Sequence, residues 1–142
     1  MGIYVKLYMK SLVNNSDKIV VGVINTGFRS ETPDISIPLS IASELGLYPP
    51  PTGSYSVEIE GTTGRGIVYA VPRAVIVRIL AEDRVSRDVV ANTIVNPFDD
   101  EVLISDALTE ELGVQILYPK KGIWRFVDDP PNKIRYSVVP SP

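Results

Sequence analysis

The 142-residue sequence contains neither cysteine nor histidine. The first absence excludes a disulfide framework, a thiolate nucleophile and a cysteine-ligated zinc site; the second excludes a Ser-His triad, an imidazole base and a histidine-ligated metal. An enzyme built from this chain has to work with carboxylates, hydroxyls, lysine or arginine. A Ser-Lys pair is formally open, but no serine lies in a glycine-flanked elbow that would expose it. Long apolar runs are also missing. Ile19 to Ile24 and Ala74 to Val77 are far too short to cross a bilayer, and no secretory apolar stretch stands near the amino terminus. A formal net charge of -3 leaves no basic footprint for nucleic acid. The expectation is a cytoplasmic protein without metal or other cofactor that binds neither membrane nor nucleic acid.

What is present suits one folded domain: 44% of the residues are hydrophobic and 22% charged. Ile3, Val5, Leu7 and Met9 alternate with Tyr4, Lys6 and Tyr8, the period of a half-buried strand. Asn14-Asn15-Ser16-Asp17 supplies turn residues, and the run from Lys18 to Ile24 completes a hairpin. That run stops at Asn25-Thr26-Gly27, where a small polar residue, a hydroxyl and a glycine are presented at the end of a buried strand. The same three residues also make ordinary turns.

Beyond the triplet, Pro38 suits the first turn of a short helix with Leu39, Ala42 and Leu45 on one face and Gly46 as a left-handed terminator. Tyr55, Val57 and Ile59 then alternate with Ser56, Glu58 and Glu60 as far as Gly61-Thr62-Thr63-Gly64-Arg65-Gly66, and Ile67 resumes an extended pattern towards Leu80. This predicts a long hairpin with a glycine-rich tip, either a surface turn or a ligand-covering flap. No Gly-Lys-Ser/Thr ending follows, so a phosphate loop is discounted. A strand is expected from Val85 to Val95, ended by Asn96-Pro97. Asp99-Asp100-Glu101 reads as a solvated edge rather than a metal cluster. It leads into Val102-Leu103-Ile104 and a second short helix with Ser105 as N-cap, and Ile123 to Val127 reads as a last strand. Residues 1–127 form the expected domain. Asp128 to Pro142, with four prolines and little periodicity, reads as an extended tail, and its Ile134 to Val139 segment is a candidate self-processing site.

Ser40 to Leu47 is echoed by Leu108 to Val114, each preceded by an apolar strand and each ending in Glu-Leu-Gly plus an aliphatic residue. With many Val and Ile residues and two short helices, the chain reads as an all-β barrel or sandwich with internal pseudosymmetry.

In this order (hairpin, apolar strand ending in Thr-Gly, helix ending Leu45-Gly46-Leu47, glycine-rich hairpin, Leu103-Ile104, helix ending Leu112-Gly113) the chain resembles a retropepsin-like aspartic protease, the single-domain retroviral-type branch of that class. The resemblance covers about Ile3 to Phe126, and archaeal and bacterial proteins of this type share the Thr-Gly-Phe form seen at Thr26-Gly27-Phe28. It implies an all-β acid-protease barrel with two short helices and a flap hairpin. Asn25 stands where the family has its catalytic Asp, Thr26 matches the threonine that braces two active-site loops, and Gly27 matches the glycine that lets backbone approach substrate. Phe28 and the flap tip, Gly61, Thr62, Thr63, Gly64, Arg65 and Gly66, are implied to contact a peptide. Val102-Leu103-Ile104 matches the strand that crosses behind the catalytic loop, and Ser105 stands where the family usually has Gly.

In that family two closely spaced carboxylates share a proton, one acting as base on a water and the other as acid towards the scissile carbonyl. This chain holds one such triplet, so the resemblance implies a C2 homodimer with two triplets on the axis and a peptide or unfolded protein as substrate. An Asn amide has no titratable proton near neutrality and cannot be the base, a loss of roughly 10²- to 10⁴-fold. Asn is isosteric with Asp, so fold, dimer and groove are expected to survive. One expectation is an aspartic endopeptidase silenced by an Asp→Asn replacement at position 25. The other is a natural pseudo-protease that binds peptides as a dimer. A structural barrel that shares only the fold is the third.

Overall fold

Alternation builds the first strand. In β1 (Ile3–Ser11) the side chains of Ile3, Val5, Leu7 and Met9 are buried while Lys6 is exposed, so one face enters the core. β1 pairs antiparallel with β2 (Asp17–Ile24), in register from Ile3↔Ile24 to Lys10↔Asp17. The computed structural model describes residues 2–139 apart from 26, 62 and 63. Its remaining elements are β3 (Asp34–Ile37), α1 (Leu39–Glu44), β4 (Tyr55–Gly61), β5 (Gly64–Ile79), β6 (Val89–Val95), β7 (Val102–Ile104), α2 (Asp106–Glu111), β8 (Val114–Tyr118), β9 (Ile123–Phe126) and β10 (Arg135–Tyr136).

The main sheet runs β1-β2-β7-β3-β6-β5-β4, and β1 pairs β5 as well. Six strands therefore close into a barrel, and β4 stands outside the ring as the far arm of a hairpin. Closure hides the edges of the ring strands. At 16 residues β5 is long enough for two tasks: its Val75–Ile79 end pairs β1 in the barrel, and its Gly64–Ala70 end pairs β4 in the hairpin. Aliphatic side chains from β1, β3, β5 and β6 fill the interior, and Ala42, Leu45, Leu108 and Leu112 of the two helical segments close it.

The order contains one insertion. β7 lies between β2 and β3, parallel to β2 through Gly22↔Val102 to Ile24↔Ile104 and antiparallel to β3 through Ile35↔Ile104. Gly22 makes this possible, since a Cβ there would come 2.7 Å from Leu7 Cδ1 and 3.2 Å from Ile104 Cδ1. Each helix spans only 6 residues, too short to hold itself, so packing of the buried Ala42 and Leu108 supports them.

Two expectations are corrected. The strand expected from Val85 begins only at Val89, because residues 80–86 fold back: Ser86 Oγ accepts the Ile79 amide at 2.7 Å and the Ser86 amide donates to the Ile79 carbonyl at 2.9 Å. The segment expected as an extended tail is docked as far as it is described. Its β10 pairs β9 in a second sheet, β10-β9-β8, and the Val138 amide donates to the Tyr4 carbonyl at 2.9 Å. Asp129 and Arg135 are both buried there as an ion pair, a contact that composition cannot reveal. Among the described residues no helix is long and apolar enough to cross a membrane.

Candidate functional site

Asn25 follows directly on β2, where that strand leaves the barrel. Buried Ile24 pairs with Ile104, the Asn25 amide donates to the Ile104 carbonyl at 3.3 Å, and the Phe28 amide closes a turn on the Asn25 carbonyl at 2.9 Å. The Asn25 side chain is exposed and lies over this turn, its Oδ1 accepting the Gly27 amide at 2.9 Å. A Cβ at residue 27 would lie 3.2 Å from that oxygen, so glycine leaves the side chain room. A carboxylate at position 25 could accept the same bond and keep its other oxygen for a water. Thr26, the implied brace, lies outside the described residues.

The junction of β7 and α2 anchors the loop that follows. The Asp106 amide donates to the Phe28 carbonyl at 2.9 Å, the Ser30 amide donates to Asp106 Oδ1 at 2.8 Å, and the Ser105 amide donates to the Asp34 carbonyl at 3.1 Å. Ser105 is fully buried, and its hydroxyl accepts both the Asp34 and the Leu108 amides at 3.1 Å. The Asp34 carboxylate in turn accepts from Ser30 Oγ at 2.6 Å, Thr32 Oγ1 at 2.9 Å and Asn92 Nδ2 at 3.1 Å. The loop is thus rigidly placed by polar groups on three elements.

Beside it opens a cavity of about 350 Å³. One side is the face of the β4–β5 hairpin that carries Tyr55, Val57 and Ile59, with Val68 and Ala70 in register. The other side is the outward face of β3, β6 and β7, including Ser36, Asn92, Ile94 and Leu103. Phe28 joins the cavity to the triplet's loop, whereas Asn25 and Gly27 are not in its wall. The space accommodates apolar side chains and offers amide and carboxylate groups on one side only.

The expected flap residues divide. Gly61 pairs with Gly64 at the tip, while Thr62 and Thr63 lie outside the described residues. Gly64, at φ 126°, has open space where a side chain would be. Arg65 is bound to Glu58 and Glu60 at 3.2 Å each, residues that alternate with the cavity-facing set, so its guanidinium lies on the opposite face of the hairpin. Gly66 is on the cavity face, and a Cβ there would lie 2.4 Å from Phe98 Cε2: the Phe98 ring, 66% exposed, fills the place of the missing side chain.

Phe98, Asp34 and the Asn92-Ile94-Asn96 row were not singled out from sequence. The row could have been found, because Val89, Ala91, Thr93 and Val95 are buried on the alternate positions of β6, which sets the Asn side chains on the opposite face. Phe98 follows a turn and has no periodic signal.

Perturbed titrations lie away from the triplet. Hydrogen bonds from Arg135 hold the Asp129 carboxyl at about 2 and lower Asp83, and Arg84 lowers Asp128. Hydrogen bonds to Glu101 and Asp17 raise Tyr4 and Tyr8.

No protein-family model and no curated protein matches the chain. As written, the triplet offers no general base, since Asn25 cannot accept a proton near neutrality. What the arrangement offers is a largely apolar cavity between the hairpin and the strands beneath it.

Proposed function

We propose that the chain is a retropepsin-like aspartic protease domain, inactivated by Asn25 in place of the catalytic carboxylate, and that the form with Asp at this position works as a homodimer on peptides or unfolded proteins. The observation that carries this reading is the position of Asn25 and Gly27: at the end of β2, against the inserted strand β7, beside a cavity covered by a glycine-tipped hairpin. Two such triplets with Asp at position 25, brought together on a C2 axis, supply the proton-sharing pair, and one protomer contributes half of it. With Asp at position 25, the ionised carboxylate takes a proton from water as the water attacks the scissile carbonyl, and the protonated carboxyl gives its proton to the carbonyl oxygen. As the C–N bond breaks, the first carboxyl passes the water's proton to the leaving amine and the second takes back a proton from the hydroxyl that becomes the new carboxyl. Gly27 and the hairpin supply backbone close to an extended substrate. The lack of cysteine suits a cytoplasmic location, which belongs to the same proposal.

The test is Asn25→Asp. Incubated with a denatured protein at about pH 3 to 7, the Asp form is expected to cleave it at least roughly 10²-fold faster than the Asn form. A transition-state mimic of the pepstatin type is expected to abolish the cleavage. An inert Asp form overturns the protease reading.

A second reading is a peptide-binding pseudo-protease. It is favoured by Asn25 itself, whose side-chain amide makes the bond to the Gly27 amide that a carboxylate would make but cannot take a proton. Tight binding of extended peptides by the Asn form, with an inert Asp form, selects it.

A further inference from the structure

The cavity beneath the hairpin does not end at β6. Asn92 and Thr32, joined by a 3.1 Å bond from Asn92 Nδ2 to Thr32 Oγ1, belong to its wall and also to the wall of a second, open hollow of about 440 Å³. The chemistry changes across this pair. The first hollow is walled largely by Tyr55, Val57, Ile59 and Ile94, the second by Pro33, Arg73, Arg87 and Glu111 among others.

Arg73 is the unusual member. It sits where the β5–β6 register slips between Val71 and Val75, with φ 47°, in the left-handed region that costs a residue with a Cβ. Asn92 Oδ1 accepts the Arg73 amide at 2.9 Å and so fixes this backbone. Glycine or asparagine would take the same conformation at less cost, so a structural role alone does not account for arginine here. Among the described residues no carboxylate lies within ion-pair distance of Arg73. The neighbouring acids are engaged: Asp88 holds Arg78 at 2.7 Å, Glu111 meets Arg87 loosely at 3.7 Å, and Asp34 accepts the three donors described above.

We infer that the two hollows form one groove for an extended peptide, an apolar side chain entering the first and a glutamate or aspartate meeting Arg73 and Arg87 in the second. The inference rests on the peptide-groove reading above and adds its charge preference. Arg73 supplies a planar fork for the carboxylate, and the loosely held Arg87 can turn from Glu111 to share it.

The experiment compares two fluorescein-labelled peptides of one apolar sequence, differing only in Glu or Gln at the outer position, by anisotropy titration of the intact Asn25 chain. At about 50 mM salt the Glu peptide is expected to bind about fivefold tighter, the scale of one solvent-exposed ion pair, and at about 0.5 M salt the advantage shrinks. Arg73→Gly removes most of the advantage while its Tm stays within a few degrees of the parent's, because glycine fits the left-handed backbone. Arg73→Lys retains part of it, and Glu111→Gln, which releases Arg87, increases it. Equal binding of the two peptides, or an advantage undiminished in Arg73→Gly, overturns the basic subsite and leaves the groove standing. Loss of folding in Arg73→Gly overturns the argument from backbone strain. No binding of either peptide overturns the groove reading itself.

Discussion

One hydroxyl, that of Ser105, holds two elements in place. It caps α2 through the Leu108 amide and satisfies the Asp34 amide at the start of β3, both at 3.1 Å and in a fully buried position. Removing it costs the cap, about 1 kcal/mol, and leaves a partly buried amide without its acceptor, about 1 kcal/mol or more. Ser105→Ala is therefore expected to lower the unfolding free energy by about 2 kcal/mol, read as a lower urea midpoint at unchanged slope. Ser105→Gly, the residue that the retropepsin resemblance would supply, loses the same two bonds but is expected to cost less than Ser105→Ala, because glycine is tolerated at an N-cap better than alanine. A variant as stable as the parent would show that the loop from Phe28 to Asp34 is held without the Ser105 hydroxyl, by the backbone bonds of Ser105 and Asp106 and by the Asp106 and Asn92 side chains. The consequence reaches the site, since that loop carries Phe28 and Asp34 of the cavity wall.

The two helices end in the same way but in different surroundings. Gly46 at φ 72° and Gly113 at φ 79° both take the left-handed conformation that stops a helix. At Gly113 the nearest atom to an added Cβ is Val127 Cγ2 at 3.8 Å, whereas at Gly46 the Asn14 side chain lies at 2.7 Å, in the turn that Ser11 Oγ ties to the Leu45 carbonyl at 2.6 Å. Gly113→Ala is expected to cost about 1 kcal/mol from backbone strain alone. Gly46→Ala is expected to cost more, because the β1–β2 turn must also move, and thermal melts of the two variants rank them. Both terminators were legible in the sequence, as were the alternation of Ile3 to Met9, the Ser105 cap and the long glycine-tipped hairpin, because each is a local pattern that its own few residues decide. The cavity wall was not, since it depends on which faces of β3, β6 and β7 meet the hairpin, and β7 reaches its place only by inserting between β2 and β3. The Arg73 bulge gave no warning either: its sequence, Pro72-Arg73-Ala74, lacks the glycine or asparagine that usually marks such a conformation.

Across the whole molecule, a charged cluster fastens the small sheet to the barrel. Arg135, 8% exposed, donates to Asp129 Oδ2 from Nε at 2.9 Å and to Oδ1 from Nη2 at 3.0 Å, and its Nη1 reaches Asp83, 52 residues away in the turn between β5 and β6. Asp129 also accepts the Phe126 amide at 2.8 Å, and Arg84 lies over the Phe126 ring at 4.3 Å. These bonds, Arg135's foremost, hold the Asp129 carboxyl at about 2 against the opposing effect of burial, and Asp83 and Asp128 are lowered as well. In the unfolded chain an aspartate titrates near about 3.9. Between the two values the unfolded state binds more protons, so the cluster's contribution is complete above about pH 4 and is lost as pH falls towards 2. Urea midpoints are expected to hold level from about pH 7 to 5 and to drop below about 4. Asp129→Asn is expected to cost about 3 kcal/mol or more at neutral pH, because it leaves the buried Arg135 guanidinium poorly paired, and to flatten the acid drop while Asp83 retains part of it. The same fall sets a lower limit for the Asn25→Asp assay: cleavage at about pH 3 competes with release of the carboxy-terminal anchor, so activity is expected to peak above the pH at which the cluster fails. An acid drop that persists undiminished in Asp129→Asn would assign the labile carboxyl to another part of the barrel and would separate the activity optimum from this anchor.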